Sequence, residues 1–359
     1  MELPFRLYRN DPHWVPPLRR DVLELIDPSK HPFHRHATVE LFLARQGKRV
    51  VGRIAAVQND LHIETHGDRT GFFGLFESER DRRVSAALFD AARTWLVARG
   101  LETMRGPASF SLNEECGLLV SGFDGPPVVM MTYNPPWYEE LVEGYGFTKT
   151  KDLLAYYLPG AAPTERLLRV ADKLRERYRI SVRALDTRRF WDEVALVRQV
   201  YNEAWEDNWG HVPMTEAELT YMAKQLKPVV DPSLVVFAEV NGELAGFGLA
   251  LPDLNVPLKR MNGRLLPFGW AKALWYSRKI STARVLTLGV RKKFRRNGVA
   301  ELMQLELMKN GNARGIVNAE FSWILEDNTM MRAPLEKMGA RVYRTYRMYD
   351  LPTAMGSHA

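Results

Sequence analysis

From residue 291 the sequence reads Arg-Lys-Lys-Phe-Arg-Arg-Asn-Gly-Val-Ala, five basic side chains followed by a glycine and a small residue. An alternating apolar run, Arg284 to Val290, comes before it, and apolar residues at helical spacing follow from Gly298 to about Asn310. A strand that feeds a helix N-terminus through such a loop is an anion trap. The first amides of the helix have no partner within it, and the helix dipole adds partial positive charge at the same end. Gly298 lets a phosphate reach the backbone with no Cβ in the way, and Ala300 keeps the next turn narrow. Arg295, Arg296 and the neighbouring lysines suit a further phosphate. The chemistry expected here is capture of a pyrophosphate-bearing ligand by backbone amides.

Charge along the chain is lopsided. The 359 residues carry a formal charge of +7. Residues 1 to 160 hold 19 Lys+Arg against 21 Asp+Glu, and the remainder holds 31 against 22. From Leu254 to Ala300 there are twelve basic residues and no acid. A polyphosphate ligand, an anionic lipid surface and a nucleic acid all fit that stretch. Hydrophobic residues at 46% and charged residues at 26% mark a globular chain rather than a disordered or fibrous one. The length predicts two domains. No apolar run reaches membrane-spanning length and no secretory leader is recognisable, so a cytoplasmic address is expected. One cysteine, Cys116, excludes an intramolecular disulfide framework and reads as a small buried apolar residue.

The elements that must position the loop come in two similar sets. In the first half, Glu40 to Val57 predicts two strands around Gln46-Gly47-Lys48, and Thr70 to Phe76 a third. A helix follows with apolar positions Val84, Leu88, Ala91, Ala92 and Trp95, ended by Gly100. Pro127 to Thr132 reads as a strand, Pro135 opens a short helix, and Leu153 to Leu158 is a closing strand. The second half predicts a strand at Ile180 to Leu185, helices over Arg189 to Trp205 and Glu216 to Leu226, and strands at Val235 to Val240 and Leu244 to Leu251. Strand Arg284 to Val290, the basic loop and its helix, strand Ala319 to Ile324, a helix near Thr329 to Met338 and a strand Arg341 to Tyr349 complete it. No strand equivalent to Ile180 to Leu185 opens the first half, an expectation of missing residues ahead of Met1.

Asn134 to Leu158 resembles Asn328 to Leu351, and Ala44 and Gly52 have the spacing of Ala238 and Gly246. Together these matches predict a duplication, with one domain at 1–160, a linker helix at 161–179 and a second domain at 180–359.

The loop and its surroundings resemble the GNAT acyltransferase superfamily, whose motif Arg/Gln-x-x-Gly-x-Gly/Ala is matched by Arg295, Gly298 and Ala300. Asn328, opening a helix that ends in Glu336-Lys337-Met338-Gly339, resembles the family's next motif. Over the whole chain, Trp14-Val15-Pro16-Pro17, Asn113-Glu114-Glu115-Cys116-Gly117, Tyr133-Asn134-Pro135-Pro136 and Ser322-Trp323-Ile324-Leu325-Glu326-Asp327-Asn328 resemble bacterial tandem-GNAT proteins. The resemblance implies an α/β (α+β) fold of two GNAT-like domains, each a mixed, mostly antiparallel twisted sheet flanked by helices. It implies acyl-CoA or acetyl-CoA as co-substrate, with pyrophosphate on the amides of Arg296, Asn297, Gly298, Val299 and Ala300 and the pantetheine arm along Leu288, Gly289 and Val290. The acceptor would be an amine, a lipid amine of the sphingoid-base kind used by ceramide synthases being preferred over a small polar one.

The first half departs from the motif: Ser78-Glu79-Arg80-Asp81-Arg82-Arg83-Val84-Ser85-Ala86 holds no glycine and two acids, so a degenerate copy without CoA is expected. In the second half Leu335 stands where many family members have an acid-donating tyrosine. Amine attack on a thioester needs a neutral amine and a proton acceptor. Glu115, Glu320 and Glu326 are the candidate bases, Tyr343 and Tyr346 the candidate acids. Against these roles, Glu320 on a strand is expected to face solvent, and Glu326 is explained equally by helix-dipole complementarity. His31, His34 and His36 read as solvated loop histidines, and Thr65 and Gly67 argue against a sustained helix holding His62 and His66. No metal site is expected.

The stretch Leu254 to Ile280 mixes Leu265, Leu266, Phe268, Trp270, Leu274, Trp275 and Tyr276 with six basic residues. It reads as a core helix, as a lid over an acyl chain, or as a peripheral contact with the inner membrane face. Two other functions fit the basic half: an aminoacyl-tRNA-dependent transferase of the FemABX kind, and a non-enzymatic nucleic-acid-binding regulator. The intact loop weighs against the first, and the lack of a helix-turn-helix or zinc module against the second.

Overall fold

The computed structural model describes residues 2 to 354. Two short helices, α1 (Glu2–Leu7) and α2 (Arg19–Leu25), precede a meander of β1 (Ala37–Gln46), β2 (Arg49–Asn59) and β3 (Thr70–Ser78), with α3 (Asp60–His66) between the last two. Helix α4 (Arg82–Val97) leads to β4 (Thr103–Gly106). Then come the small pair β5 (Ala108–Ser109) and β6 (Glu115–Cys116), β7 (Leu118–Ser121), α5 (Tyr138–Glu143) and β8 (Thr148–Leu158).

Helix α6 (Glu165–Tyr178) crosses to the second half, which opens with β9 (Ile180–Ala184), α7 (Phe190–Trp205) and α8 (Glu216–Leu226). Strands β10 (Val235–Val240) and β11 (Glu243–Pro252) form a hairpin, followed by α9 (Asn255–Met261) and α10 (Gly269–Ser277). The chain ends with β12 (Thr282–Val290), α11 (Val299–Asn312), β13 (Asn318–Leu325), α12 (Thr329–Lys337) and β14 (Arg341–Pro352).

Local chemistry explains most of these boundaries. Asp81 caps α4 by accepting from the Arg83 amide, and Val84, Leu88, Ala92 and Leu96 along it are buried against the sheet. Thr215 and Glu218 form a reciprocal capping box at the start of α8. The two hairpins repeat one another in detail. Ala44 pairs with Gly52 and Ala238 with Gly246, and in each the register slips immediately after the alanine. An identical bulge at equivalent positions is the structural trace of the duplication.

The halves do not make separate sheets. Twelve strands join in the order β1-β2-β3-β4-β14-β8-β13-β12-β11-β10-β9, with β7 against β14. The last strand of the chain, β14, pairs with β4 of the first half, and β8 pairs with β13 of the second. Each half therefore surrenders its last strand to the other, and β14 and β8 lie antiparallel at the centre. The cores follow the exchange. Tyr349 and Leu351 of β14 are buried with Phe73, Phe89 and Phe147, whereas Tyr156 and Leu158 of β8 are buried with Phe321 and Leu335. A boundary at residue 160 or 180 leaves this sheet uncut.

Two local expectations fail. Pro127–Thr132 is irregular rather than a strand: Met130 adopts φ 58°, and the Val129 and Met130 carbonyls turn inward to a buried arginine instead of to a neighbouring strand. His62 and His66 do share a helix, α3, because Asn59 caps it through the His62 amide and Gly67 closes it in the left-handed conformation.

The exchange carries a consequence for fragments. Expressed separately after a cut following Ala162, each half lacks a central strand partner and exposes a sheet edge. Neither fragment should show cooperative thermal unfolding by circular dichroism, whereas the two co-expressed should associate and recover it.

Candidate active site

Strands β12 and β13 run parallel only as far as Val285 and Phe321 and then diverge. β11 pairs with β12 up to Val290 on its other side, so Leu286 to Val290 present an edge with no strand neighbour among the described residues. The basic loop follows directly. Gly298, at φ 80°, is the N-cap of α11 and offers no side chain to it. The first bond of the helix runs from the Leu302 amide to the Gly298 carbonyl, which leaves the amides of Val299, Ala300 and Glu301 without intrahelical partners. Gly298 is also structurally constrained: a Cβ there would lie 2.5 Å from Leu174 of α6.

Most of the loop's charge is already balanced. Arg291 pairs with Glu203 at 2.7 Å and Glu243 at 3.0 Å; Lys292 pairs with Glu206 and Asp207, and Lys293 with Glu243. Arg295 reaches the Val290 and Ala204 carbonyls. Among the described residues only exposed Arg296 of the five makes no such contact. The expectation that the flanking cations are free for a further phosphate is corrected accordingly, because α7 and the β10–β11 turn bring acids to them.

The first half shows the opposite geometry at the equivalent place. β3 and β4 are parallel only over Thr70–Phe72 and Thr103–Arg105, but the gap beyond is filled by β5: a Cβ on Gly74 would lie 1.9 Å from the Ala108 carbonyl. Asp81 occupies the N-terminus of α4, and Glu79 is held by Arg6 and Arg49. A carboxylate sits where an anion would have to bind.

Beyond the free edge of β12 lies a cavity of about 280 Å³ between the halves. Its walls are apolar, from Val194 and Val197 of α7, Leu219 and Leu226 of α8, Phe247 of β11, and Leu112 and Leu153 of the first half. Polar groups interrupt these walls: Arg284 and Thr287 from β12, Ser322 and Trp323 from β13, Glu193 and Tyr201 from α7, and Asn113, Asn208 and His211 from loops. Asn113 is fixed by the Val212 carbonyl at 2.9 Å and the Tyr201 hydroxyl at 3.2 Å. Thr287 Oγ1, Trp323 Nε1 and His211 Nε2 are buried with no protein partner among the described residues. Buried polar atoms of this kind are completed by a ligand or by water.

Glu320 lies behind Ser322 and is fully buried. This corrects the solvent-facing reading: strand alternation puts Glu320 and Ser322 on one face as expected, but that face is turned inward, against Arg284, Tyr343 and Met131. Glu320 accepts from Ser322 Oγ at 3.0 Å and Tyr343 Oη at 3.5 Å, with Arg284 Nε 3.7 Å away. Burial pushes its carboxyl up to about 7, against the opposing pull of Arg284 and the Ser322 hydroxyl. Arg284 itself donates to the Val129, Met130 and Ser322 carbonyls at 2.9, 2.7 and 3.2 Å. Tyr346 is buried near this group with a hydroxyl that has no hydrogen-bond partner among the described residues, and burial pushes it up to about 12.

The remaining candidates divide. Glu115 is exposed next to the cavity residue Cys116, its carboxyl raised by the surrounding protein against the pull of Arg284. Glu326 is a strand clamp, bound to Lys149 at 2.7 Å and to the Asp152 amide at 3.0 Å, and does not join the Glu320 group. Asn328 spends its side chain capping α12 through the Met331 amide. Leu288, Gly289 and Val290 do form the free edge, with Gly289 covered by the Trp205 ring. Cys116 is buried as expected, its thiol pushed up to about 12 by burial.

The histidines are not solvated. His31 is buried against Glu114 at 3.3 Å, and His36 bridges the halves to Glu218 at 3.1 Å, a bond that raises it. Among the described residues no group of three or more His, Cys, Asp or Glu is arranged to hold a metal ion. Arg284 and Thr287 were not singled out from the sequence, and Asn113 entered only within the motif at 113–117; an arginine inside an otherwise apolar strand was the available signal for the first.

No protein-family model matches the chain. It is 40% identical over 355 residues to the bacterial ceramide synthase of Caulobacter vibrioides, covering 97% of this chain and 92% of that protein. It is 38% identical over 355 residues to protein YghO of Escherichia coli, covering 97% and 90%. Among solved structures, a tandem GNAT protein from the clavulanic acid biosynthesis pathway superposes with a TM-score of 0.57 at 16% identity, covering 99% of this chain and 94% of that one. A GCN5-related N-acetyltransferase from Sphaerobacter thermophilus superposes with a TM-score of 0.51 at 14% identity, over 88% and 82%. At these identities the structures speak for the fold.

Buried Glu320 also sets a pH signature. Its carboxyl holds its proton more tightly in the folded chain than in the unfolded one, so the stability it contributes is complete below the ordinary carboxylate range and is lost as pH rises through about 7. Glu320→Gln should flatten that part of the stability-versus-pH curve relative to the parent, measured by denaturant melts from acidic to mildly alkaline pH.

Proposed function

Since the chain belongs to the tandem GNAT acyltransferases, in the family it shares with the Caulobacter ceramide synthase and YghO, we propose that it transfers a long acyl group from CoA to a long-chain primary amine of the sphingoid-base kind. The observation that carries this reading is the cavity's form, a largely apolar space beside the free edge of β12 into which β12 and β13 present Arg284, Thr287, Ser322 and Trp323. A small polar amine has no use for such walls, whereas an aliphatic chain gains roughly 0.8 kcal/mol for each methylene buried. Residues 1–160 are read as the degenerate copy, 161–179 as its linker and 180–359 as the copy that carries transfer. A bilayer-borne acceptor brings the protein to the inner membrane face for part of its cycle.

In this reading the amides of Val299, Ala300 and Glu301, with Arg296, receive the pyrophosphate, and Leu286 to Val290 offer N–H and C=O groups to the pantetheine amides. A bound acyl thioester supplies the electrophilic carbonyl at the cavity end of that edge. The amine enters neutral. As its nitrogen bonds to the acyl carbon, one N–H proton passes through the Ser322 hydroxyl to the Glu320 carboxylate, and the departing sulfur takes one proton. Tyr346, buried beside Glu320 and without a partner, is the donor we assign. Arg284 favours the ionised form of Glu320 and so helps it accept the proton near neutrality.

Acyl-CoA of increasing chain length should raise the melting temperature progressively, and a thiol-release assay should show turnover with a long-chain amine. Absence of both across acetyl- to palmitoyl-CoA would overturn the reading. Arg296→Glu, at an exposed position, should weaken acyl-CoA binding by about tenfold; it is a cleaner probe than any change at Gly298, where the positive φ and Leu174 would strain the fold as well. Rate at saturating substrates should rise with pH through about 7 as Glu320 ionises. Glu320→Gln should abolish that rise and lower kcat by about two to four orders of magnitude.

A further inference from the structure

The segment between β11 and β12 leaves the body of the protein with its apolar side chains turned outward. Leu266 and Phe268 are each 73% exposed, Leu274 62%, Trp275 61% and Trp270 56%. This overturns the core-helix reading: of α10, only Gly269 is buried. Burying such side chains is favourable, so a run of them in water marks a surface built to be covered.

The charges say by what. Residues 254 to 280 hold six basic side chains and no acid. Arg260 and Lys279 flank the Tyr276 ring, and Arg264, Lys272 and Arg278 are exposed and form no ion pair among the described residues. Arg291, Lys292 and Lys293, by contrast, are each matched to a carboxylate; what sets residues 254 to 280 apart is that unmatched cations stand among exposed aromatic and aliphatic side chains with no acid in the segment. A second copy of the same face would meet like charge. A nucleic acid would answer the charge but leave Leu266, Phe268 and Trp275 uncovered.

We propose that α9, α10 and the loop between them form a docking element for an anionic phospholipid bilayer, with Phe268, Trp270 and Trp275 at headgroup depth and the basic residues on the lipid phosphates. The element has a firm root. Gly263 fits closely against Phe5 and the Pro17 carbonyl, Asn255 donates to the Pro127 carbonyl at 2.8 Å, and Asp253 accepts from the Val129 amide at 2.9 Å. The same 127–130 segment supplies Met130 to the cavity wall and two carbonyls to Arg284. Docking therefore holds the cavity's wall close to the membrane surface. The inference stands on the exposed residues alone and does not depend on the acyl-transfer reading.

The test is flotation of the full-length protein with vesicles of phosphatidylcholine alone and of phosphatidylcholine mixed with phosphatidylglycerol, in the absence of substrate. The protein should float with the mixed vesicles and bind them about tenfold or more tightly than the neutral ones. The triple change Phe268→Ser, Trp270→Ser and Trp275→Ser should abolish flotation while leaving the thermal melt unchanged, since all three side chains are exposed. Lys272→Glu with Arg278→Glu should remove the preference for phosphatidylglycerol. Failure of the parent protein to float with either vesicle, or flotation of the triple variant equal to the parent, would overturn the proposal. So would a dimer in sedimentation velocity that the triple variant loses, with no flotation by the parent, which would give the face to a second copy.

Discussion

The buried guanidinium of Arg284 organises this molecule. Arg284 sits in strand β12 almost without solvent, where an uncompensated guanidinium would cost several kcal/mol. Its compensation comes from three carbonyls belonging to both halves, Val129 and Met130 on one side and Ser322 on the other. Satisfying the charge thus fixes an irregular first-half segment onto second-half strands, shapes the cavity wall at Met130 and steadies the root of α9 through Val129 and Asp253. The same charge moderates Glu320. Burial alone would keep that carboxyl neutral, and Arg284 draws it back toward the range where it can exchange a proton.

The duplication explains how such an interface arose from two like units with unlike fates. Both halves carry the bulged hairpin, the parallel pair that parts, and a helix beginning where a phosphate could bind. In the first half β5 fills the gap and Asp81 caps the helix, so the copy is closed to anions and contributes walls instead: Leu112, Asn113, Cys116, Met130 and Leu153 all line the cavity. The exchange of β8 and β14 makes this division of labour permanent, because neither half can move away without breaking a continuous sheet.

The basic residues that dominate the second half serve two ends that look alike in the sequence. Around the loop at 291–296 they hold α7 and the β10–β11 turn in place through carboxylates and carbonyls, leaving only Arg296 of the five unmatched among the described residues. Around α10 they are left unmatched beside exposed aromatic rings. Net charge by itself could not tell a structural ion pair from a docking surface; the position of four acids, Glu203, Glu206, Asp207 and Glu243, decides it.

What the residues alone determined was local or periodic. The strands around Gln46-Gly47-Lys48, the helix after Gly298, the duplicated Ala-to-Gly spacing and the acid-filled loop at 78–86 all follow from backbone conformational preference, apolar period and nearest-neighbour charge, and each is found in the structure. Leu335, at the position the resemblance marks for a tyrosine, is a buried core side chain. The strand exchange, the burial of Glu320, the partnering of His36 with Glu218 and the outward turn of Trp270 and Trp275 were decided only by the tertiary structure. Each depends on which distant segment covers a given face, and a period of two or of three to four residues says which side chains share a face without saying what lies against it.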